Sequence, residues 1–160
     1  MNEVKKFTDV ITKLASDVYG HLGDGFSEDI YQKALAYELR ENKIDYLRET
    51  VIELFYKDQM VGLGEIDFYF PAQKKAKFEL KNPLILETKY TTKLDSSHRA
   101  QLRQYLLSGK QNQSKLLSNL NTGLLLNWQK KADYSEKRIA PDSPVECEIW
   151  TLSKQSFKKL

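Results

Sequence analysis

The sequence predicts an α/β fold in which a mixed central β-sheet is flanked by α-helices. Three observations predict it. An amphipathic helical stretch opens the chain, an antiparallel pair of strands runs into a third apolar strand, and a further helix then leads to another apolar strand. Val4, Phe7, Ile11, Leu14 and Val18 recur at helical spacing and end near Gly20, which gives the first helix. After the turn at His21-Leu22-Gly23-Asp24-Gly25, a second helix is expected over residues 27–42, with Tyr31, Leu35 and Leu39 along one side. Ser27 is placed to cap it, which puts Glu28 in the first turn, where the helix dipole favours a carboxylate.

Strands follow over 50–56, 60–70 and 83–90. Lys57-Asp58-Gln59 is the hairpin turn that makes the first two antiparallel. A third helix starts near Ser97 and runs past Tyr105. It leads to a buried strand over 123–128, and a last strand over 147–152 follows a loop around Pro141 and Pro144.

At 160 residues and 41% hydrophobic content, the chain fits one domain over 1–160 with a packed core. Its longest apolar runs, such as Leu84-Ile85-Leu86 and Leu124-Leu125-Leu126, fall far short of the roughly 20 residues a membrane helix needs, so no membrane association is expected. Lys5, Lys6, Asp9 and Lys13 interrupt the only stretch that resembles a signal sequence. Cys147 stands alone, which excludes an internal disulfide and fits a reducing, cytoplasmic setting. One cysteine and two histidines argue against a structural zinc site. The net charge of +3 permits a polyanionic partner without requiring one.

The chemistry-bearing residues come in a fixed order: Glu28 within Gly25-x-x-Glu28-x-x-Tyr31, then Asp67, then Glu87-Thr88-Lys89, then Gln101-x-x-x-Tyr105. Two carboxylates at strand ends can hold a hard divalent cation through oxygen, and a lysine two residues after the second shares its strand face. The order points to a metal-dependent phosphodiesterase. Each piece also has an ordinary reading. Asp67 alone, among the apolar Ile66, Phe68 and Phe70, reads as a strand acid in a salt bridge. Glu87 and Lys89 alone read as a same-face ion pair. Gln101 and Tyr105, with His98 and Leu102, read as a helix face packed on the sheet, or as a water- or phosphate-orienting pair. Arg99 and Arg103 either contact a nucleic-acid backbone or are solvated.

The segment from His21 to Tyr31, together with Ala34-Leu35, Gly64-Glu65-Ile66-Asp67, Glu87-x-Lys89, His98-x-x-Gln101-Leu102-x-x-Tyr105-Leu106 and Gly123-Leu124-Leu125-Leu126-Asn127-Trp128, resembles the GxxExxY proteins. These are a branch of the PD-(D/E)XK nuclease superfamily. The resemblance covers residues 21–128 and implies a restriction-endonuclease-like core. It implies Asp67, Glu87 and the Thr88 carbonyl around Mg²⁺ or Mn²⁺, with Glu28 joining directly or through water, and Lys89 as the catalytic lysine. The Gln101-x-x-x-Tyr105 element resembles the last motif of RecB-like nucleases, which act on DNA, so DNA is the expected partner. Gly25 is either a close-approach residue or a turn residue, and Tyr31 either braces the second helix or fills the core.

One departure is an insertion, residues 71–81, between the Asp67 strand and the Glu87 strand. It contains Glu79-Leu80-Lys81, a literal copy of the motif. Glu87 is the better choice because it follows an uninterrupted apolar strand, and because His98 and Gln101 then fall at family-like spacing. The lysine-rich insertion reads as a solvated hairpin, or alternatively as a grip on phosphates. Two other functions stay open on sequence alone: a nucleic-acid-binding module without turnover, and an interaction or assembly domain using Trp128 and Trp150 as anchors.

Overall fold

The computed structural model describes residues 2–131, 145–154 and 156–160. Its elements are α1 (Asn2–Leu22), α2 (Glu28–Glu41), β1 (Leu47–Tyr56), β2 (Gln59–Phe70), β3 (Gln73–Lys74), β4 (Glu79–Leu80), β5 (Leu84–Lys89), α3 (Ser96–Gly109), α4 (Lys115–Ser118), β6 (Thr122–Trp128), β7 (Val145–Leu152) and β8 (Phe157–Lys159). Six strands form one sheet in the order β1-β2-β5-β6-β7-β8, and β3 and β4 form a separate two-stranded ladder. Among the described residues only β5 and β6 pair in parallel; α3 lies between them in the chain, as a parallel connection requires. The loop expected around Pro141 and Pro144 lies outside the described residues. No helix among the described residues is long and apolar enough to cross a membrane.

Both faces of the sheet are covered, which explains the continuous apolar runs in β5 and β6. Leu84, Leu86, Leu124 and Leu126 pack in one cluster with Phe7, Ile11, Tyr31 and Leu35 of α1 and α2. Ile85 and Leu125 point the other way, into a cluster with Leu102, Tyr105 and Leu106 of α3. Gly64 is required by this second layer, because a Cβ there would stand 2.8 Å from Tyr105 Cε1.

The insertion is a hairpin, as expected, but it is not simply solvated. Phe78 and Leu80 are buried in the α1 cluster, with Phe78 edge-on to Phe7 at 4.9 Å. The lysines around them stay at the surface, and Lys75 pairs with Asp45 at 3.3 Å. The short apolar positions between lysines anchor the hairpin to the core while the charged ends remain in water.

On the far side of the sheet, Glu148 of β7 is nearly buried and accepts a forked pair of hydrogen bonds from Arg99, at 2.9 and 2.8 Å. Trp150 Nε1 donates to the same carboxylate at 2.9 Å. The guanidinium beside it pulls the Glu148 pKa down to about 2. A carboxylate whose folded pKa is depressed adds stability above its unfolded value, and that stability is lost as pH falls through the folded value. Glu148→Gln should therefore cost about 1.5–3 kcal/mol at pH 7, the range for hydrogen bonds to charged groups. The difference from wild type should shrink toward pH 2, which denaturant titrations at both pH values will measure.

Candidate metal-dependent active site

The site forms where β2 and β5 part. Their ladder ends at the pair Phe68↔Leu86, and beyond it carboxylates replace backbone partners. Asp67 N donates to Glu87 Oε1 at 3.1 Å, while Thr88 N donates to Asp67 Oδ2 at 2.8 Å. Thr88 Oγ1 reaches the same oxygen at 3.3 Å. Each acid thus holds the other's strand, and the two carboxylates occupy the fork. The ordinary salt bridge for Asp67 is not what this geometry provides: its Oδ2 accepts from Thr88 N and Oγ1 instead.

The backbone changes course at the same place. In a regular strand, residues 64, 66, 68 and 70 would share a face. Here Gly64 and Ile66 face Tyr105 and the α3 cluster, whereas Phe68 and Phe70 join the α1 cluster. Opposite Asp67, the β1–β2 pairing skips Glu49 between Arg48↔Phe68 and Thr50↔Ile66. Glu49 has φ +57°, the left-handed region, which costs a non-glycine residue of order 1–3 kcal/mol. The strand pair rotates at Asp67, and Glu49 absorbs the turn.

Glu87 is 2% exposed. Burial, then repulsion from Asp67, drives its pKa well above the ordinary carboxylate value, with Lys89 opposing. Glu28, in the first turn of α2, is raised for the same two reasons, and Lys89 again opposes. Glu28 and Glu87 therefore each sense Asp67, and Lys89 opposes the shift of both. The Lys89 ammonium makes no side-chain bond to Glu87; it donates to Gln101 Oε1 at 3.0 Å. Gln101 Nε2 donates to the Tyr105 hydroxyl at 3.3 Å, and burial followed by Glu87 raises the Tyr105 pKa. The structure thus brings together Glu28, Asp67, Glu87, Thr88, Lys89, Gln101 and Tyr105.

The loop before α2 is tied down by two tyrosines. Tyr31, fully buried, donates from its hydroxyl to the Gly23 carbonyl and stacks on Trp128 with ring centroids 5.4 Å apart. It is both brace and core residue. The Tyr90 hydroxyl donates to Asp24 and accepts from Gly25 N at 2.9 Å. Gly25 has φ +112° and open space where a Cβ would stand, so the loop needs its conformational freedom and not a close approach. Ser27 occupies the N-cap position without a side-chain hydrogen bond.

The remaining positions lie elsewhere. His98 completes a capping box with Asp95 at the start of α3, its Nδ1 accepting from Asp95 N at 3.1 Å. Arg99 is committed to Glu148 of β7. Arg103 is exposed on α3. Glu79 and Lys81 are exposed, and Glu79 pairs with Lys74 in the small ladder, outside the six-stranded sheet that carries Asp67 and Glu87.

Sequence reading missed three supports: Tyr90, Asn127 and Gln32. Asn127 is fully buried, accepts from Thr91 N at 2.9 Å and donates to Thr91 O at 3.0 Å, fixing the chain just after Lys89. Its signal was available, an amide inside the run Leu124-Leu125-Leu126-Asn127-Trp128. Gln32 had no such signal, because it looks like any polar position on a surface helix.

Among the described residues, no three Asp, Glu, His or Cys side chains stand close enough to hold an ion by themselves. The donors at the fork are two carboxylates and a strand backbone, all oxygen, with one carboxylate buried against the other. That set fits a hard divalent ion that keeps several waters, and it fits no soft metal.

A mixed sheet with helices on both faces and an acid, acid-x-lysine fork between neighbouring strands defines a restriction-endonuclease-like protein. The chain belongs to the PD-(D/E)XK nuclease superfamily, whose sequence profile matches residues 5–139. No curated protein and no solved structure matches the chain. Members of this superfamily typically cleave phosphodiester bonds with divalent metal ions.

Proposed function

We propose that the chain is a divalent-metal-dependent nuclease hydrolysing phosphodiester bonds of nucleic acid, DNA in the first instance, and that it is a GxxExxY protein forming one domain over 1–160. The observation that carries this reading is the fork itself. A buried Glu87 and a half-buried Asp67 hold each other's strands, and Lys89 opposes the rise that burial and Asp67 cause in the Glu87 pKa. Fixing like charges together is unfavourable in a free protein and is relieved by a cation.

Asp67, Glu87 and the Thr88 carbonyl would hold Mg²⁺ or Mn²⁺, with Glu28 joining directly or through water. When bound, the ion supplies Lewis acidity at the scissile phosphate and lowers the pKa of a water. Lys89 offsets the charge that builds on the phosphate and directs the attacking water. Gln101 orients the Lys89 ammonium by accepting from it at 3.0 Å, and Tyr105 in turn accepts from the Gln101 amide. Tyr31 and Tyr90 keep the Glu28 helix start beside the strands. Arg103 is the exposed cation of α3 for backbone phosphates, while His98 and Arg99 serve to fix α3 itself.

The test is a cleavage panel with Mg²⁺ or Mn²⁺ on labelled linear, circular and branched DNA and on RNA. Cleavage that requires the metal and disappears in EDTA supports the reading; intact substrates in every lane overturn it. Within that panel Glu79→Ala is expected to cleave and bind metal at the wild-type level, and Glu87→Ala to do neither. The opposite pattern would move the site to the insertion.

A further inference from the structure

Gln32 lies on α2 one turn after Glu28 and is 7% exposed. Its Nε2 donates to Glu28 Oε2 at 3.1 Å and to Thr88 Oγ1 at 2.7 Å. Its Oε1 accepts from Arg48 Nη2 at 2.8 Å. Both amide N–H groups and the amide oxygen are thus used. The orientation is chemically fixed, because a flipped amide would set its oxygen against the Glu28 carboxylate and its N–H groups against a guanidinium. Thr88 carries the chain onward, since its hydroxyl and its N–H both donate to Asp67 Oδ2.

Arg48 is held in turn. Its guanidinium lies over the Phe68 ring, 5.4 Å from the centroid, and its side chain is 19% exposed. Its Nε is buried without a hydrogen-bond partner. An orphaned donor of this kind is unfavourable, yet the guanidinium sits where its Nη2 meets the Gln32 amide, which touches both Glu28 and Thr88. Arg48 also directly precedes Glu49, the left-handed residue across from Asp67. The same short stretch of β1 that turns the strands at the fork also anchors the amide.

We propose that Gln32, oriented by Arg48, is a positioning residue that sets the Glu28 carboxylate and Thr88 relative to Asp67, and thereby sets the affinity of the site for a divalent ion. The inference rests on the metal site proposed above. Gln32 touches neither substrate nor ion; it acts through Glu28 and Thr88. Without its two N–H donors, the Glu28 carboxylate is free to turn away and the Thr88 hydroxyl loses the partner that fixes its direction. Supporting hydrogen bonds of this kind typically change metal affinity about 10- to 100-fold.

Calorimetric titration with Mn²⁺ alone tests it, without any need for turnover. Gln32→Leu should weaken binding about 10- to 100-fold. In a double-mutant cycle with Glu28→Ala, the double variant should bind within a few-fold of the weaker single variant, because the two residues act as one unit. Arg48→Met should weaken Mn²⁺ in the same direction by a smaller factor, and Arg48→Lys should restore part of the loss. This second pair decides the matter if Gln32→Leu does not fold. Wild-type affinity in Gln32→Leu, or in Arg48→Met where Gln32→Leu is unfolded, overturns the inference, as do fully multiplicative losses in the cycle. Asp67→Asn is titrated alongside. Loss of Mn²⁺ in Asp67→Asn with none in Gln32→Leu removes the positioning role and leaves the site standing. Retention of Mn²⁺ in Asp67→Asn removes both.

Discussion

Lys89→Ala is expected to give a folded protein that still binds Mn²⁺ but cleaves about 100- to 1000-fold more slowly, the loss typical of removing one preorganised group from a developing charge. Lys89 ends β5, on the same strand face as Glu87, and rests on the Gln101 amide, not in an ion pair. An ammonium held by a neutral amide keeps most of its charge available to an incoming phosphate. Metal affinity should hardly fall, because lysine is not a ligand, and removing a cation beside the acids favours a second cation. Single-turnover cleavage at saturating Mn²⁺, calorimetry and circular dichroism separate the three quantities. A wild-type cleavage rate would end the catalytic assignment, and an unfolded variant would make Lys89 a structural residue.

The fold was legible where periodicity is local. The spacing of Val4, Phe7, Ile11, Leu14 and Val18 locates α1, and the uninterrupted Leu84-Ile85-Leu86 locates a strand covered on both faces. The candidate fork was legible in part, since an acid late in β2 and an acid-x-lysine ending β5 must meet once the strands pair. What could not be read depends on partners far away in sequence. Phe78 and Leu80 look like scattered apolar residues among lysines until α1 covers them. Arg99 looks like a free surface cation until Glu148, 49 residues on, takes its guanidinium. β8 is too short to show a pattern, and α4 spans only four residues.

The same distance explains why Gln32 and Arg48 escaped notice. Helical spacing makes Gln32 a neighbour of Glu28, but nothing local shows that Thr88 lies beyond it, 56 residues away. The reversal of faces at Asp67 was also hidden. Ile66, Phe68 and Phe70 read as one face of a regular strand, and only Glu49 across the ladder reveals the turn. Regular alternation fails at the fork because the backbone is shaped there to present carboxylates and not to extend a sheet, and such local conflicts gather at functional sites.

Asp67→Asn is expected to lose Mn²⁺ binding, beyond the ~10- to 100-fold typical of a lost supporting residue, while the metal-free protein becomes no less stable. The amide can still accept from Thr88 N, so the bond now made to Asp67 Oδ2 at 2.8 Å survives. What disappears is the charge that, after burial, does most to raise the pKa of Glu87. A carboxylate with a raised folded pKa contributes its stability below the unfolded value of 4.5 and loses it as pH rises through the folded value. In EDTA the wild type should therefore lose stability through this group as pH rises above 4.5, and Asp67→Asn should lose less. Mn²⁺ should raise the wild-type unfolding temperature at pH 8 by occupying the fork, and leave the variant unmoved. Thermal unfolding at pH 5 and 8, with EDTA or Mn²⁺, reads all four combinations. A variant that binds Mn²⁺ as the wild type does would put the metal elsewhere. A variant strongly destabilised in EDTA would mean that the Asp67 charge itself holds the strands together, and that the fold sacrifices no stability to keep two acids in one place.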